Sequence, residues 1–466
     1  MKPNHFFKLF AFIFIFASCS QTQNFDILIK NGTIVDGSGQ PSYVGDVGIN
    51  ADTIAAVGDL GDATGTREID AVGLAVAPGF INMLSWATET LIEDGRSMAD
   101  IKQGVTLEVF GEGWSMGPLN ESMKKEEKDS QGDIQYDIKW NSLSEYLEYL
   151  TTKGISPNVA SFVGATTLRI YTVGYENRAP TPQELDTMKL LVKEAMEDGA
   201  LGVGSSLIYA PAFYSSTEEL IELCKVAAEY DGMYISHMRS EGSSLLESLD
   251  ELIRIADEAG IRAEIYHLKQ SGKENWDKFD DVVAKVDSAN AAGLNVSANM
   301  YNYVAGATGL DASMPPWVQE GGYDKWAERL QDPEIREQLV KEMTTPTNEW
   351  ESLMMAAGDP SKILLVGFKA DSLKYLTGKT LEEVAQMRGT SPEETAMDLV
   401  VQDGSRVGTI YFLMSEENVK KQIALPWMSF GSDGGSPSTE GGVLEIEYPP
   451  KNLWECSSII GQIRAG

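Results

Sequence analysis

Two of the chain's three histidines stand thirty residues apart in equivalent settings, His237 in YISHMRSEG and His267 in EIYHLKQSG, each closing a short apolar run. Imidazole is well suited to bind a metal or to move a proton near neutral pH. A lone histidine in such a run reads as a satisfied core or surface residue, but a matched pair asks for a common cause. One parallel strand, its helix and two loops occupy about 30 residues. The spacing therefore puts His237 and His267 at the carboxyl ends of adjacent strands, where barrel enzymes carry their chemistry. The third histidine, His5, falls in a segment expected to be removed.

The elements that must hold this pair can be read around it. A chain of 466 residues with 42% hydrophobic content suits one domain of barrel size and a smaller one. Over 25–78, Val/Ile-rich runs such as FDILIKNGTIVDG and DVGINADTIAAVGDL alternate with Asn-Gly, Asp-Gly and Gly-rich turns, which predicts the hairpins of a small β domain. Over 79–440 apolar runs alternate with amphipathic helices, the pattern of a parallel α/β domain. Eight candidate strands lie near Phe80, Leu107, Val159, Leu201, Met233, Ala263, Asn295 and Met428, which predicts a (β/α)8 barrel. Thr181 with Glu184, Ser216 with Glu219 and Ser244 with Glu247 have the spacing of capping boxes, and Gly260 marks a helix end. The segment 309–425, rich in helix formers and Trp, reads as a subdomain inserted over the barrel mouth.

A formal charge of −33 argues against nucleic acid as a partner, because phosphate binding needs clustered Lys and Arg. At the start, Lys2 and Lys8 flank an apolar run, 9–17, that is too short to span a bilayer, so residues 1–18 read as a secretory signal. FASC followed by Ser20 resembles a bacterial lipobox. It implies cleavage before Cys19, lipidation of that thiol, a linker over 19–24, and a location in the periplasm or cell envelope on a lipid anchor. An ordinary signal with an incidental cysteine is the other reading. Cys224 shares an apolar helical face with Leu220, Leu223 and Ala227 and reads as core, and with Cys456 as the other thiol no disulfide framework is implied.

Taken together, FDILIKNGTIVDGSG, APGFIN, LIYAPAFYSSTEEL, SHMRSEG, HLKQSGKENW and FGSDG resemble the amidohydrolase superfamily, in its D-aminoacylase (N-acyl-D-amino-acid deacylase) branch, from residue 25 to about 440. The resemblance implies a β-sandwich domain beside a metal-bearing barrel that hydrolyses a small-molecule amide with a metal-activated water. His237 and His267 match the ligands of the tightly held Zn²⁺, and a hydrolytic zinc keeps one position open. Asp433 matches the carboxylate that takes the proton from water and passes it to the leaving amine; on its own, SDGG would read as a turn. Lys269 and Tyr303 match substrate-contacting positions, with a structural role standing beside that reading for each.

The chain departs from the family in three places. Where the family has His-x-His after Phe-Ile-Asp, this chain has Leu84 and Trp86, which cannot bind zinc, so a single metal per chain is expected; deacylases of this branch can work with the tight metal alone. Where the family has the ligand Cys of Gly-Asn-Cys-Gly, counting back from Pro118 in FGEGWSMGP puts Glu112, which would complete a His₂Glu set. The alternatives are a solvated turn residue at Glu112 or, less well placed within its strand, Glu108 as ligand. Beyond residue 440 the family pattern stops. Codons permitted for 441–466 can encode GVFLKSNTHPRTYGNVARLLGKYVR in another frame, a family-like run, so this tail is expected to be out of frame, a divergent natural C-terminus being the other reading. The last barrel helix, the closing sandwich strands and the His-Pro-Arg anchor for a substrate carboxylate would then be missing, leaving apolar surface exposed and activity in doubt.

The leading expectation is therefore a zinc-dependent deacylase of N-acyl-D-amino acids. Another C–N hydrolase of the superfamily, a dipeptidase or cyclic amidase, is the alternative, although no Lys ends strand three or four to bridge two metals. From a different class, a lipid-anchored binding protein that lost its chemistry would also fit the missing His-x-His.

Overall fold

A computed structural model describes residues 23–438; the signal segment, Cys19 and the tail 441–466 lie outside the described residues. The chain divides into two compact units, the first reaching to Gly79 and the second starting at Phe80.

In the first unit, β1 (Asn24–Ile34) is flanked by β2 (Tyr43–Asn50), followed by β3 (Thr53–Gly58), and on its other side by β4 (Thr64–Asp70) and β5 (Ala75–Val76). β2 runs antiparallel to β1, and β4 and β5 run parallel to it. Among the described residues this unit is a single five-stranded sheet and not a facing pair. Its core is small, formed by Phe25, Leu28 and Ala63. Gly32 lets β5 approach, since a Cβ there would come 2.4 Å from Val76 Cγ2. Val44, Ile54, Val72 and Leu74 remain exposed, Val44 at 74%. These apolar side chains face water.

The second unit carries β6 (Phe80–Asn82), β7 (Val105–Phe110), β8 (Asn158–Ser161), β9 (Val163–Gly164), β10 (Gly202–Ser206), β11 (Met233–His237), β12 (Arg262–Ile265) and β13 (Val296–Met300). After them come β14 (Ala305–Gly309), β15 (Ile363–Gly367), β16 (Gly408–Phe412) and β17 (Met428–Phe430). A strand occurs at each of the eight stretches named from the sequence. Two parallel sheets form, β17-β13-β12-β11-β10-β9 and β6-β7-β8. Backbone bonds continue the pattern across both seams. Phe162 N–H donates to Phe110 O (2.9 Å), Met83 N–H donates to Phe430 O (3.1 Å), and Ser85 bridges Gly434 in parallel. The arrangement resembles the core of a (β/α)8 barrel. β14, β15 and β16 form a separate antiparallel sheet within the long stretch between β13 and β17, with its own apolar core around Leu310, Leu365 and Tyr411.

Outer helices follow their sequence signals. Helix Pro182–Glu197 starts with the full Thr181/Glu184 capping box, and helix Leu245–Ala259 buries Leu245, Leu249, Leu252 and Ala256 before Gly260 ends it at φ 63°. Two expected boxes are incomplete. Ser216 accepts from Glu219 N–H, but the Glu219 carboxylate turns to the buried guanidinium of Arg169 (2.8 Å). Ser244 makes no cap bond, because its backbone (φ −104°, ψ 28°) is not extended and its hydroxyl donates to Asn348 O. Cys224 is fully buried in helix Thr217–Ala228, and burial pushes its thiol well above the ordinary range, which fits a core residue.

Candidate metal centre

Glu112, on the loop after β7, reaches the middle of the unit because glycines flank it. Gly111 (φ 104°) and Gly113 (φ 73°) adopt backbone that favours glycine, and a Cβ on Gly113 would meet Ser206 Oγ at 2.6 Å. The facing strand needs one too: a Cβ on Gly204 would sit 2.0 Å from Gly111 O. Ser206 Oγ–H then donates to Glu112 O at 3.0 Å and pins the loop.

His237 ends β11, and His267 follows β12. His267 stands at φ 34°, rare for a residue with a side chain, and is held there by its N–H donating to Asn299 Oδ1 (2.7 Å), itself fixed by Glu264. Glu112 Oε1 lies 3.0 Å from His237 Nδ1 and 2.9 Å from His267 Nε2. Glu112, His237 and His267 are all buried, and among the described residues they are the group of acids, histidines and cysteines close enough to share a metal ion. Zinc bonds of about 2.0–2.1 Å place tetrahedral ligands roughly 3.3 Å apart, so Glu112 Oε1 needs to draw back from each imidazole nitrogen by only a few tenths of an ångström. The electrostatics point the same way. Burial works to raise the Glu112 carboxyl, but the two histidines outweigh it and hold it at about 2. Burial and Lys269 press the His267 imidazole down, yet Glu112 and Glu241 carry it up to about 10. The pocket thus favours positive charge at its centre.

Glu241 was not singled out in the sequence, although it stands only four residues after His237 in SHMRSEG. Its Oε1 lies 3.1 Å from His267 Nδ1, and both oxygens accept from Lys269 Nζ (2.8 and 2.9 Å). Burial opposes its ionisation, but Lys269 and the two histidines hold it well below the usual carboxylate range. A metal on His267 Nε2 leaves Nδ1 to carry the proton, and Glu241 is the acceptor that fixes that tautomer. Replacement of Glu241 by Gln is expected to weaken zinc affinity roughly 10–100-fold, read from a competition titration with a chelating dye. Glu351 in turn caps the Glu241 loop, its Oε2 accepting from Ser240 Oγ and the N–H groups of Glu241 and Gly242.

Asp433 follows β17 at φ 49°, its N–H donating to Leu84 O (2.9 Å), while Ser432 N–H donates to Asn82 Oδ1 (2.8 Å). The indole N–H of Trp86 lies 3.1 Å from Asp433 Oδ1 and 3.1 Å from Glu112 Oε2, which ties Asp433 to the centre. Lys269 is buried at the edge of the cavity, committed to the two oxygens of Glu241. Tyr303 stacks on Tyr301 (4.1 Å between centroids), and its hydroxyl donates to Ser432 O. Glu108 is not near the histidines. It accepts from Ser85 and Ser97, and burial and then Asp100 raise its carboxyl to about 8. The site opens into a cavity of about 1440 Å³, lined also by Trp114, Tyr209 and Arg406.

A three-ligand metal centre in a (β/α)8-like unit, with a carboxylate held beside it, defines a metal-dependent hydrolase. No protein-family model matches the chain. It is, however, 31% identical over 441 residues to a D-aminoacylase of Alcaligenes xylosoxydans xylosoxydans, an alignment that covers 94% of this chain and 78% of the relative. It is 27% identical over 411 residues to an N-acyl-D-aspartate deacylase of the same organism, covering 88% and 72%. The crystal structure of a D-aminoacylase superposes with a TM-score of 0.72 at 30% identity, covering 92% of this chain and 78% of that one. An N-acyl-D-glutamate deacylase from Bordetella bronchiseptica, complexed with zinc and a phosphonate that mimics the tetrahedral intermediate, gives 0.71 at 25%, covering 88% and 76%. A further D-aminoacylase structure, 29% identical with a TM-score of 0.72 over 92% of this chain and 78% of that one, addresses one-metal activation and second-metal attenuation. The chain belongs to the amidohydrolase superfamily, in its D-aminoacylase branch, and is an enzyme of carbon–nitrogen bond hydrolysis.

Proposed function

We propose that the protein removes the acyl group from N-acyl-D-amino acids, with one zinc per chain. The observation that carries this is the single carboxylate oxygen of Glu112 standing within 3.0 Å of both imidazoles, beside Asp433, in a chain whose relatives are D-aminoacyl deacylases. A zinc ion held by Glu112, His237 and His267 supplies a Lewis acid for the amide carbonyl and lowers the pKa of water.

Asp433 accepts the proton from water and returns it to the leaving nitrogen. Its left-handed backbone, fixed by Leu84 O, aims the carboxylate at the cavity instead of along the strand. Tyr303, through Ser432 O, steadies the same loop. Lys269 keeps Glu241 ionised, so that His267 holds its orientation. We read the two parallel sheets as one closed eight-stranded barrel, supported by the backbone bonds across both seams. The run 9–17 and the FASCS sequence support export and a lipid anchor at Cys19.

Purified protein is expected to hold one zinc per chain and to release acetate from N-acetyl-D-amino acids faster than from their L enantiomers. A protein without zinc, or one cleaving only L substrates, would overturn the reading.

A further inference from the structure

We propose that Trp86 is a positioning residue that takes the place of a second cation: its indole N–H bridges Glu112 and Asp433, aims the proton-accepting carboxylate, and keeps the centre mononuclear. The proposal rests on the deacylase reading for its kinetic arm and on metal binding alone for its other arm.

Two carboxylates that face one another repel, and something positive must stand between them. Glu112 Oε2 and Asp433 Oδ1 each lie 3.1 Å from Trp86 Nε1. One N–H shared between two acceptors is a three-centre bond, and donation to ionised oxygens makes it stronger than a neutral one. The indole is itself fixed. Trp86 N–H donates to Gly434 O at 2.8 Å, so the tryptophan is stitched to the loop that carries Asp433. Trp86 lines the cavity and is 39% exposed. Leu84, two residues earlier, is buried among Val109, Phe162 and Tyr266, and offers no ligand atom from its side chain. The only side-chain group that the Leu84–Trp86 segment places between the two carboxylates is thus a donor, which a metal cannot use.

The arrangement divides the two carboxylate oxygens of Glu112. Oε1 faces the histidines, and Oε2 faces Trp86 and, through it, Asp433. One residue thereby registers the proton acceptor against the metal ligands, with no second ion needed to do so.

The test uses wild-type protein with Trp86→Phe and Trp86→His. Trp86→Phe keeps the flat ring and removes the N–H. It is expected to retain one zinc per chain, to leave KM within about twofold, and to lower kcat roughly 10–100-fold, the scale of a lost hydrogen bond to a charged group. An unchanged kcat, or a loss confined to KM, would overturn the positioning role. Equilibrium dialysis against excess zinc, followed by elemental analysis, reads the other half without any substrate. Wild type is expected to stay at one zinc per chain, and Trp86→His, which sets an acceptor nitrogen beside the two carboxylates, is expected to rise to two. Two zinc ions in wild type, or one in Trp86→His, would overturn the exclusion. Wild type that binds one zinc but cleaves no N-acyl-D-amino acid would sink the deacylase reading and leave this metal arm standing.

Discussion

Asp433→Asn is expected to lower kcat roughly 10²–10⁴-fold, the usual contribution of a positioned acid–base group, with zinc content unchanged. The substitution keeps the shape of the side chain and its acceptor oxygen for Trp86, so the loop held by Leu84 O and Asn82 has no reason to move. What it removes is the ability to take a proton from water and return it to nitrogen. The measurement is a pair, elemental analysis beside steady-state kinetics. Metal loss together with activity loss would show that Asp433 is a ligand in place of a proton carrier.

Glu112→Ala is expected to lose both zinc and activity. Its carboxylate is the group that joins His237 to His267, and without it two buried imidazoles lose their shared partner, at a cost of about 1–3 kcal/mol each for an unsatisfied polar group. The thermal midpoint should therefore fall as well. Glu112→Cys separates ligation from shape, because a thiolate is also a zinc ligand, with a bond of about 2.3 Å. That variant should keep the metal. If Glu112→Ala retained one zinc with native affinity, the ligand set would have to lie elsewhere.

The parts of this site that were legible in the sequence are those governed by local periodicity. His237 and His267 close runs of apolar residues that must be buried strands, and the thirty-residue interval fixed them as neighbours. Glu112 was reachable only by counting back from Pro118, since nothing in FGEGW distinguishes a ligand from a turn acid. The structure supplies the reason for its place: the glycines on either side allow an approach to β10 that a Cβ would block. Glu241 was visible four residues beyond His237, yet its task depends on where the loop turns, and that is decided by Glu351, more than a hundred residues away. Trp86 was legible as a missing ligand and not as a donor. An indole's partners are set by tertiary packing, which spacing does not encode. The capping signals show the same limit, for Glu219 satisfies Arg169 across 50 residues in preference to its own helix start.

The bridging oxygen of Glu112 has a further consequence for how the protein comes to be. It meets His237 across 125 residues of chain and His267 across 155. Contacts of such separation form late, after the loop entropy between them has been spent on strand pairing. A metal ion is a poor template for the early chain, since even its nearest two ligands, His237 and His267, stand thirty residues apart and the third is more than a hundred from either, and its binding energy is added to strands already paired. The metal is thus a latecomer to folding: protein refolded in a chelator should gain its full complement on later addition of the ion, and cells short of that ion would accumulate a folded enzyme awaiting it.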